Sequence, residues 1–229
     1  GTSHYLGQNF SSAFEIKYLD KDGQLKNPYQ TSWGVSTRLI GALIMAHGDQ
    51  RGLKLPPRVA PYQVVIVPVA AHKEGVNEKA QEIATLLRNV GVRVMLDDRE
   101  QSPGWKFNEW EMKGVPVRLE IGPRDIENGQ AMIARRDTHD KFAIKLDDLS
   151  TEIPALLDDI QKNMFKQSHD FLHSHIVTCH TLDEMKEALD NHNFVKTMWC
   201  GDRACEDKIK EQFAATSRCM PFDQTPVGD

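Results

Sequence analysis

The amino-acid sequence predicts an α/β fold, and three features indicate it. A run of β-branched residues at 62–70 (YQVVIVPVA) is typical of a buried strand. Helix and strand patterns then alternate along the chain, with helices at 77–91 and 102–114 and strands at 92–98, 116–122 and 130–137. This order of elements favours a parallel or mixed sheet.

The first thirty residues begin with GTSHYLGQNF, whose small polar residues and glycines predict a binding loop. Phe10, Phe14 and Ile16 are interpreted as the apolar positions of a strand over 8–20. A cluster of Asp, Gly, Asn and Pro at 20–28 predicts a turn.

The next segment passes from a strand (TSWG) into an apolar helix. Ser36 or Thr37 is the expected N-cap and Gly48 the expected end. The run LIGALIMA at 39–46 predicts a buried core helix. The proline-rich segment 53–61 (LKLPPRVAP) excludes a helix and predicts a linker at a domain boundary.

Beyond the sheet patterns, residues 151–172 predict a long packing helix between domains. A smaller unit follows from about residue 175, with strand, helix and strand patterns in HIVTC, LDEMKEALDNHN and FVKTMWC. The α/β alternation therefore continues without a visible sequence repeat.

The composition is that of an ordinary globular protein of 229 residues with a net charge of −5. The sequence contains no run of about 18 apolar residues, so it predicts no membrane-spanning helix. Four cysteines in a chain of this length favour a reduced, cytoplasmic protein. The net charge counts mildly against nucleic-acid binding, but basic residues cluster in the middle of the chain, at Arg88, Arg93, Arg99, Lys106, Lys113, Arg118, Arg124, Arg135 and Arg136.

Three groups of residues could carry chemistry. Arg38 lies at a predicted helix start, where backbone N–H groups already favour an anion, although an ordinary surface arginine has the same appearance. Trp105, Phe107 and Trp110 could stack on unpaired bases, with one of the two tryptophans expected in the core. Cysteines 200 and 205 have a spacing that suits half of a zinc site, or they are structural cysteines.

Several long motifs resemble the archaeal/eukaryote-like form of prolyl-tRNA synthetase, a class II enzyme. GTSHYLGQNF and YQTSWGVSTRLIGALIMAHGDQRGLKLPPRVAP are similar to its catalytic domain, the second including motif 3. SPGWKFNEWEMKGVPVRLEIGPRD resembles its anticodon-binding domain. WCGDRACED and CMPFDQTPVGD resemble its C-terminal zinc-associated domain, so the resemblance runs from end to end.

The resemblance implies a remnant of the antiparallel-sheet catalytic domain at 1–60, an α/β anticodon-binding domain with a mixed sheet at 61–165, and a small, incomplete α+β zinc-associated domain at 166–229. It also implies roles for particular residues. The catalytic and ATP-binding residues are Arg38, Thr2, Ser36 and Thr37. The proline pocket is formed by His4, Trp33 and Gly34. The anticodon guanines are read by Phe107, Glu111, Arg118 and Arg124.

The implied activity is proline–tRNA ligation, with ATP and Mg²⁺, L-proline and tRNA(Pro) as substrates and partners, and a homodimer as the full enzyme. Motifs 1 and 2 do not occur in this sequence, so it is interpreted as a fragment, and we expect it to be inactive alone. Cys200 and Cys205 would be two ligands of an incomplete zinc site, with zinc weak or absent in this chain. Alternatives are a tRNA-anticodon-binding module with a degenerate catalytic remnant, and a regulatory scaffold.

Overall fold

The computed structural model describes residues 2–220, and the chain divides into two compact units, Gly1–Gln161 and Lys162–Asp229. In the first unit, residues before 60 form strands β1 (Thr2–Gly7), β2 (Tyr18–Leu19), β3 (Leu25–Lys26) and β4 (Gln30–Gly34) and helices α1 (Asn9–Ala13) and α2 (Arg38–His47). Strand β1 pairs with β4, and β2 pairs with β3, both antiparallel.

Two predictions for this segment are wrong. The GTSHYLGQNF stretch is not a loop, because Thr2–Gly7 forms β1. The expected strand over 8–20 contains helix α1 instead, followed by only two strand residues. Phe10 and Phe14 are four residues apart and their rings stack at 6.3 Å, so their spacing is that of one helix face.

Helix α2 begins and ends where the sequence predicts, with Thr37 as N-cap and Gly48 as C-cap. Its predicted burial is wrong, because none of its residues is buried and Ile40, Ile44 and Met45 are exposed. The apolar run therefore forms an exposed surface within the described residues and is not part of the core of this unit.

The main sheet and its helices follow after the proline-rich segment. The elements are β5 (Val64–Pro68), α3 (Val76–Asn89), β6 (Val94–Leu96), α4 (Pro103–Met112), β7 (Val117–Ile121), α5 (Pro123–Glu127), β8 (Gln130–Arg135) and β9 (Lys141–Lys145). The strand order is β6-β5-β7-β8-β9, parallel across the first three strands and antiparallel across the last three. The predicted mixed sheet is thus confirmed, while α5 and β9 were not predicted.

Strand β5 lies at the centre of the core, and all five of its residues are buried. Val65 and Val67 pack with Trp110 of α4 and with Val115. Because side chains alternate across a strand, Val64 and Ile66 face the other side of the sheet, where α3 lies against β5. Coverage of both faces explains why this strand is a continuous apolar run.

A buried ionic cluster fastens α4 to the end of β6. The Asp97 carboxylate accepts two hydrogen bonds from Arg99, at 2.8 and 2.7 Å, and one from Trp110 Nε1 at 2.7 Å. The buried Lys106 ammonium donates to the Asp97 backbone carbonyl at 3.0 Å. Burial raises the pKa of Asp97, but the hydrogen bonds from Arg99 and Trp110 outweigh it and lower that pKa to about 2.

A second connection joins the proline-rich segment to the end of α4. The Leu53 N–H donates to the Met112 carbonyl at 2.9 Å, and the Leu55 N–H donates to the Gly114 carbonyl at 3.1 Å. Gly114 has a φ of +75°, and a Cβ built on it would lie 2.7 Å from the Leu53 backbone. The close approach of the two segments therefore requires glycine at this position.

Helix α6 (Leu149–Ser174) contributes residues to both units, and its buried residues Ile153, Leu157, Ile160 and Met164 recur at helical spacing. The second unit contains β10 (Ile176–Thr178), α7 (Leu182–Asp190), β11 (Phe194–Lys196) and α8 (Arg203–Phe213). Strands β10 and β11 pair in parallel, and the buried cluster of the second unit consists of Cys179, Met185 and Ala188. The sequence predicted the first three of these elements but not α8.

We predict that Asp97→Asn lowers the free energy of unfolding by about 3 kcal/mol, because it leaves the charges of Arg99 and Lys106 without their buried partner. Asp98→Asn, at the exposed neighbouring residue, should change it by less than about 0.5 kcal/mol. Urea unfolding followed by circular dichroism measures both. Since the folded-state pKa of Asp97 is lowered, its stabilisation is present above pH 3.8 and is lost as the pH falls towards 2. The difference between wild type and Asp97→Asn should shrink in that interval, and a constant difference would contradict the ionic role.

We also predict that Gly114→Ala destabilises the first unit more than Gly129→Ala does. Both glycines have positive φ, at +75° and +63°, but a Cβ on Gly129 meets no atom within 4 Å. The left-handed backbone alone costs about 1–2 kcal/mol, and the clash with Leu53 should add about 1–3 kcal/mol. Equal losses in the free energy of unfolding would show that the 53–55 segment moves away from the added methyl group without a loss of stability.

Candidate functional site

Strands β1 and β4 bring together the residues expected at the ATP and proline sites. Thr2 lies opposite Gly34, His4 opposite Ser32, and Ser3 opposite Trp33. Directly opposed residues of an antiparallel pair share a face, and successive residues alternate between faces. His4 therefore shares its face with Gly34, whereas Trp33, which is 79% exposed, lies on the other face.

Arg38 is the first residue of α2, as its predicted anion-binding role requires. The Thr37 side chain makes no capping hydrogen bond, and the Ser36 and Thr37 carbonyls accept from Leu39 and Ile40. Among residues 2–220 the Arg38 guanidinium has no ion-pair or hydrogen-bond partner, and its residue is exposed. Its donors are consequently available to a phosphate at this helix start.

The residues expected to read bases form a second group, on α4 and β7. The Arg118 guanidinium carbon lies 4.2 Å from the centroid of the Phe107 ring. Arg118 Nε donates to Glu120 Oε1 at 3.0 Å, which fixes the plane of the guanidinium by one edge. Its two terminal nitrogens have no hydrogen-bond partner in the described part of the chain.

Glu111 and Arg118 line the same concavity, whose volume is about 90 Å³. Glu111 Oε1 accepts from Arg51 Nη1 at 3.0 Å and lies 3.5 Å from His139 Nδ1. Glu111 Oε2 has no partner among residues 2–220. The concavity thus presents a free carboxylate oxygen and free guanidinium donors to whatever enters it. Its other lining residues are Arg51, Val65, Trp110, Val115, Ala134, Arg135, Arg136 and His139.

The remaining candidates differ in burial and in position. Trp110 is the core tryptophan, 7% exposed, and the sequence-based expectation of one buried tryptophan is confirmed. Trp105 is 47% exposed and lies 5.2 Å from the Arg99 guanidinium. Arg124 lies in α5, is exposed, and does not line the concavity, so the structure brings together Phe107, Glu111 and Arg118 but not the fourth predicted residue.

The predicted zinc ligands lie in the second unit. Cys200 and Cys205 are exposed, and Cys205 lies in the first turn of α8. A backbone hydrogen bond from Asp202 and the neighbouring Cys205 thiol lower the pKa of Cys200. In the described range 2–220 no group of three or more His, Cys, Asp or Glu side chains could hold a metal ion. These two thiols supply only half of a tetrahedral shell, so we assign no chemistry to zinc here.

Arg51 and His139 were not identified from the sequence. They are separated from Glu111 by 60 and 28 residues, and neither belongs to a motif that suggests an anticodon contact. Arg136 belonged to the basic cluster, but its pattern gave no sign that it is buried.

Among residues 2–220 no helix combines the length and the apolar character that a membrane span requires.

Two family models match the chain. The model described as an anticodon binding domain matches residues 63–156. The model described as the C-terminal domain of prolyl-tRNA synthetase matches residues 182–229. The part of that match beyond residue 220 lies outside the described residues, as does the predicted CMPFDQTPVGD motif apart from its first two residues.

Curated relatives and solved structures give the same family. The proline–tRNA ligases of Clostridium novyi (strain NT) and Alkaliphilus oremlandii (strain OhILAs) are 56% and 57% identical to this chain, covering 100% of it and 48% of their own length. A Cryptosporidium parvum prolyl-tRNA synthetase, crystallised with L-proline and AMP, is 41% identical with a TM-score of 0.93, over 97% of this chain and 49% of that one. The chain thus spans about half the length of these relatives, and the predicted family and fold class are confirmed.

Proposed function

Because the chain corresponds to the C-terminal portion of the prolyl-tRNA synthetases, we propose that it is part of a proline–tRNA ligase and reads the anticodon of tRNA(Pro). The observation that carries this proposal is the group formed by Phe107, Glu111 and Arg118, in which a carboxylate acceptor and guanidinium donors line one concavity beside an aromatic ring. These are the groups that recognise a splayed base.

Guanine suits this group better than the other bases. Its N1–H and N2–H edge donates to a carboxylate, and its O6 and N7 atoms accept from an arginine. Glu111 Oε2 and the terminal nitrogens of Arg118 are free for these roles within the described residues. The Phe107 ring supports the Arg118 guanidinium, whose plane could in turn stack on a base. Arg124 remains a candidate for contacting a second guanine from outside the concavity.

We further propose that residues 1–60 contribute one side of the site that activates L-proline with ATP. Arg38, at the start of α2, would bind phosphate oxygens, with Thr2, Ser36 and Thr37 beside it. His4 and Gly34 share a face and would contact proline, while Trp33 would contribute from the other face of the ribbon. Catalysis of this reaction depends on positioning and charge neutralisation, which Arg38 would supply and Mg²⁺ would complete on the triphosphate.

The domain limits and partners belong to the same proposal. Residues 61–165 would form the anticodon-binding domain and 166–229 the C-terminal domain, with a homodimer as the state of the whole enzyme. The two thiols of Cys200 and Cys205 would contribute to a zinc site only with ligands from outside the described residues.

We predict that Arg118→Ala weakens binding to an RNA stem-loop with the proline anticodon by about 5- to 150-fold, since it removes contacts to a guanine edge. A stem-loop in which adenine replaces the anticodon guanines should lose less than about threefold. Fluorescence anisotropy at fixed salt measures both affinities. Arg58→Ala is the matched control, because Arg58 is exposed and its guanidinium has no partner among residues 2–220. An equal loss for both RNAs would reduce Arg118 to a phosphate contact.

A further inference from the structure

The turn that follows α2 lies against the end of α4. Asp49 and Gly52 form an isolated antiparallel bridge, and the Arg51 N–H donates to Asp49 Oδ1 at 2.9 Å. These contacts close the turn, so that Asp49 and Arg51 are held on it at defined positions. Arg51 remains 62% exposed along its side chain while its guanidinium contacts Glu111.

Arg136, which is buried, fastens this turn to α4. Its two terminal nitrogens donate to the Asp49 carboxylate at 2.9 and 2.7 Å, and its Nε donates to the Glu111 backbone carbonyl at 3.0 Å. The hydrogen bonds from Arg136 hold the pKa of Asp49 well below its usual range, so the carboxylate is ionised throughout the neutral range. The Glu111 backbone is thus bonded directly to the buried Arg136, and the Arg51 backbone is bonded to it through Asp49.

The Glu111 side chain is held from the same two segments. Arg51 donates to Oε1 at 3.0 Å, and the His139 ring lies between the two carboxylates, with Nδ1 3.5 Å from Glu111 Oε1 and Nε2 3.4 Å from Asp49 Oδ2. A glutamate side chain loses considerable rotamer entropy when it is ordered, of the order of 1.5 kcal/mol or more. Contacts that order it before a ligand arrives remove that cost from binding.

We propose that Arg51 and His139 are positioning residues for base recognition. They hold the Glu111 carboxylate by Oε1 and leave Oε2 free to accept from a guanine of the anticodon. This inference rests on the proposed function, because it assigns a role to residues around the proposed base-reading carboxylate. It also makes base recognition depend on the turn between α2 and the proline-rich segment, which is separate from helix α4 that carries Glu111.

The test is the ratio of affinities for stem-loops with guanine and with adenine at each of the two anticodon guanine positions, measured with the 229-residue chain. At the position that Glu111 reads, Arg51→Met should lower this ratio by about 5- to 10-fold, and Arg51→Lys should recover part of the loss. Arg58→Met removes the same charge from the adjoining proline-rich segment and should leave the ratio unchanged. His139→Asn keeps a residue that tolerates the left-handed backbone at this position, where φ is +66°, and should also lower the ratio.

A double-mutant cycle separates positioning from a direct contact. If Arg51 acts through Glu111, Arg51→Met should have almost no further effect on the ratio in a Glu111→Gln background. Equal effects in both backgrounds, or an unchanged ratio for Arg51→Met, overturn the inference while leaving the proposed function intact. A wild-type chain that does not distinguish the two RNAs overturns the proposed function and this inference together. Thermal unfolding of each variant identifies any that fail to fold, and the exposure of Arg51 makes its variants the informative ones.

Discussion

The structure of the first unit depends on one buried guanidinium. Arg136 comes directly after β8, yet its three side-chain nitrogens donate to the turn after α2 and to the last turn of α4. Burying such a charge is unfavourable unless it is paired and hydrogen-bonded, and Asp49 and the Glu111 carbonyl satisfy that condition. The same contacts hold the turn that carries Arg51, while the backbone hydrogen bonds of Leu53 and Leu55 bring the proline-rich segment beside Gly114. The site around Glu111 is therefore built on a pairing between distant parts of the chain.

Hydrogen-bond satisfaction distinguishes the arginines that hold the structure together from those available to a ligand. Arg136 donates to Asp49 and to the Glu111 carbonyl, and Arg135 donates to Asp137 and Asp159. Arg118 donates only through Nε, to Glu120, and it lines the concavity while its terminal nitrogens have no partner among the described residues. In sequence these three arginines are equivalent members of one basic cluster. The protein geometry, not the composition, distinguishes Arg118 as the candidate for base recognition.

The sequence predicted elements well where the apolar pattern was strong. Strand β5 and helix α3 follow directly from their apolar patterns, whereas the edge strand β9 has mostly exposed residues and therefore no such signal. Phe107 and Glu111 lie four residues apart, so their common helix face could be inferred from spacing. The contacts of Glu111 with Arg51 and His139 could not, because they join three separate segments through side chains alone.

The two proposed sites differ in how complete they are within the described residues. Ligand pockets bury most of a small molecule, but β1, β4 and the start of α2 present exposed side chains on a two-stranded ribbon. A two-stranded ribbon cannot enclose ATP or proline, so those residues need further walls to act. The concavity with Glu111 and Arg118 is already formed, its carboxylate is ordered by Arg51 and His139, and its floor is the packed core of α4 and β5. The proposed base-reading site is accordingly the more complete of the two within the described residues.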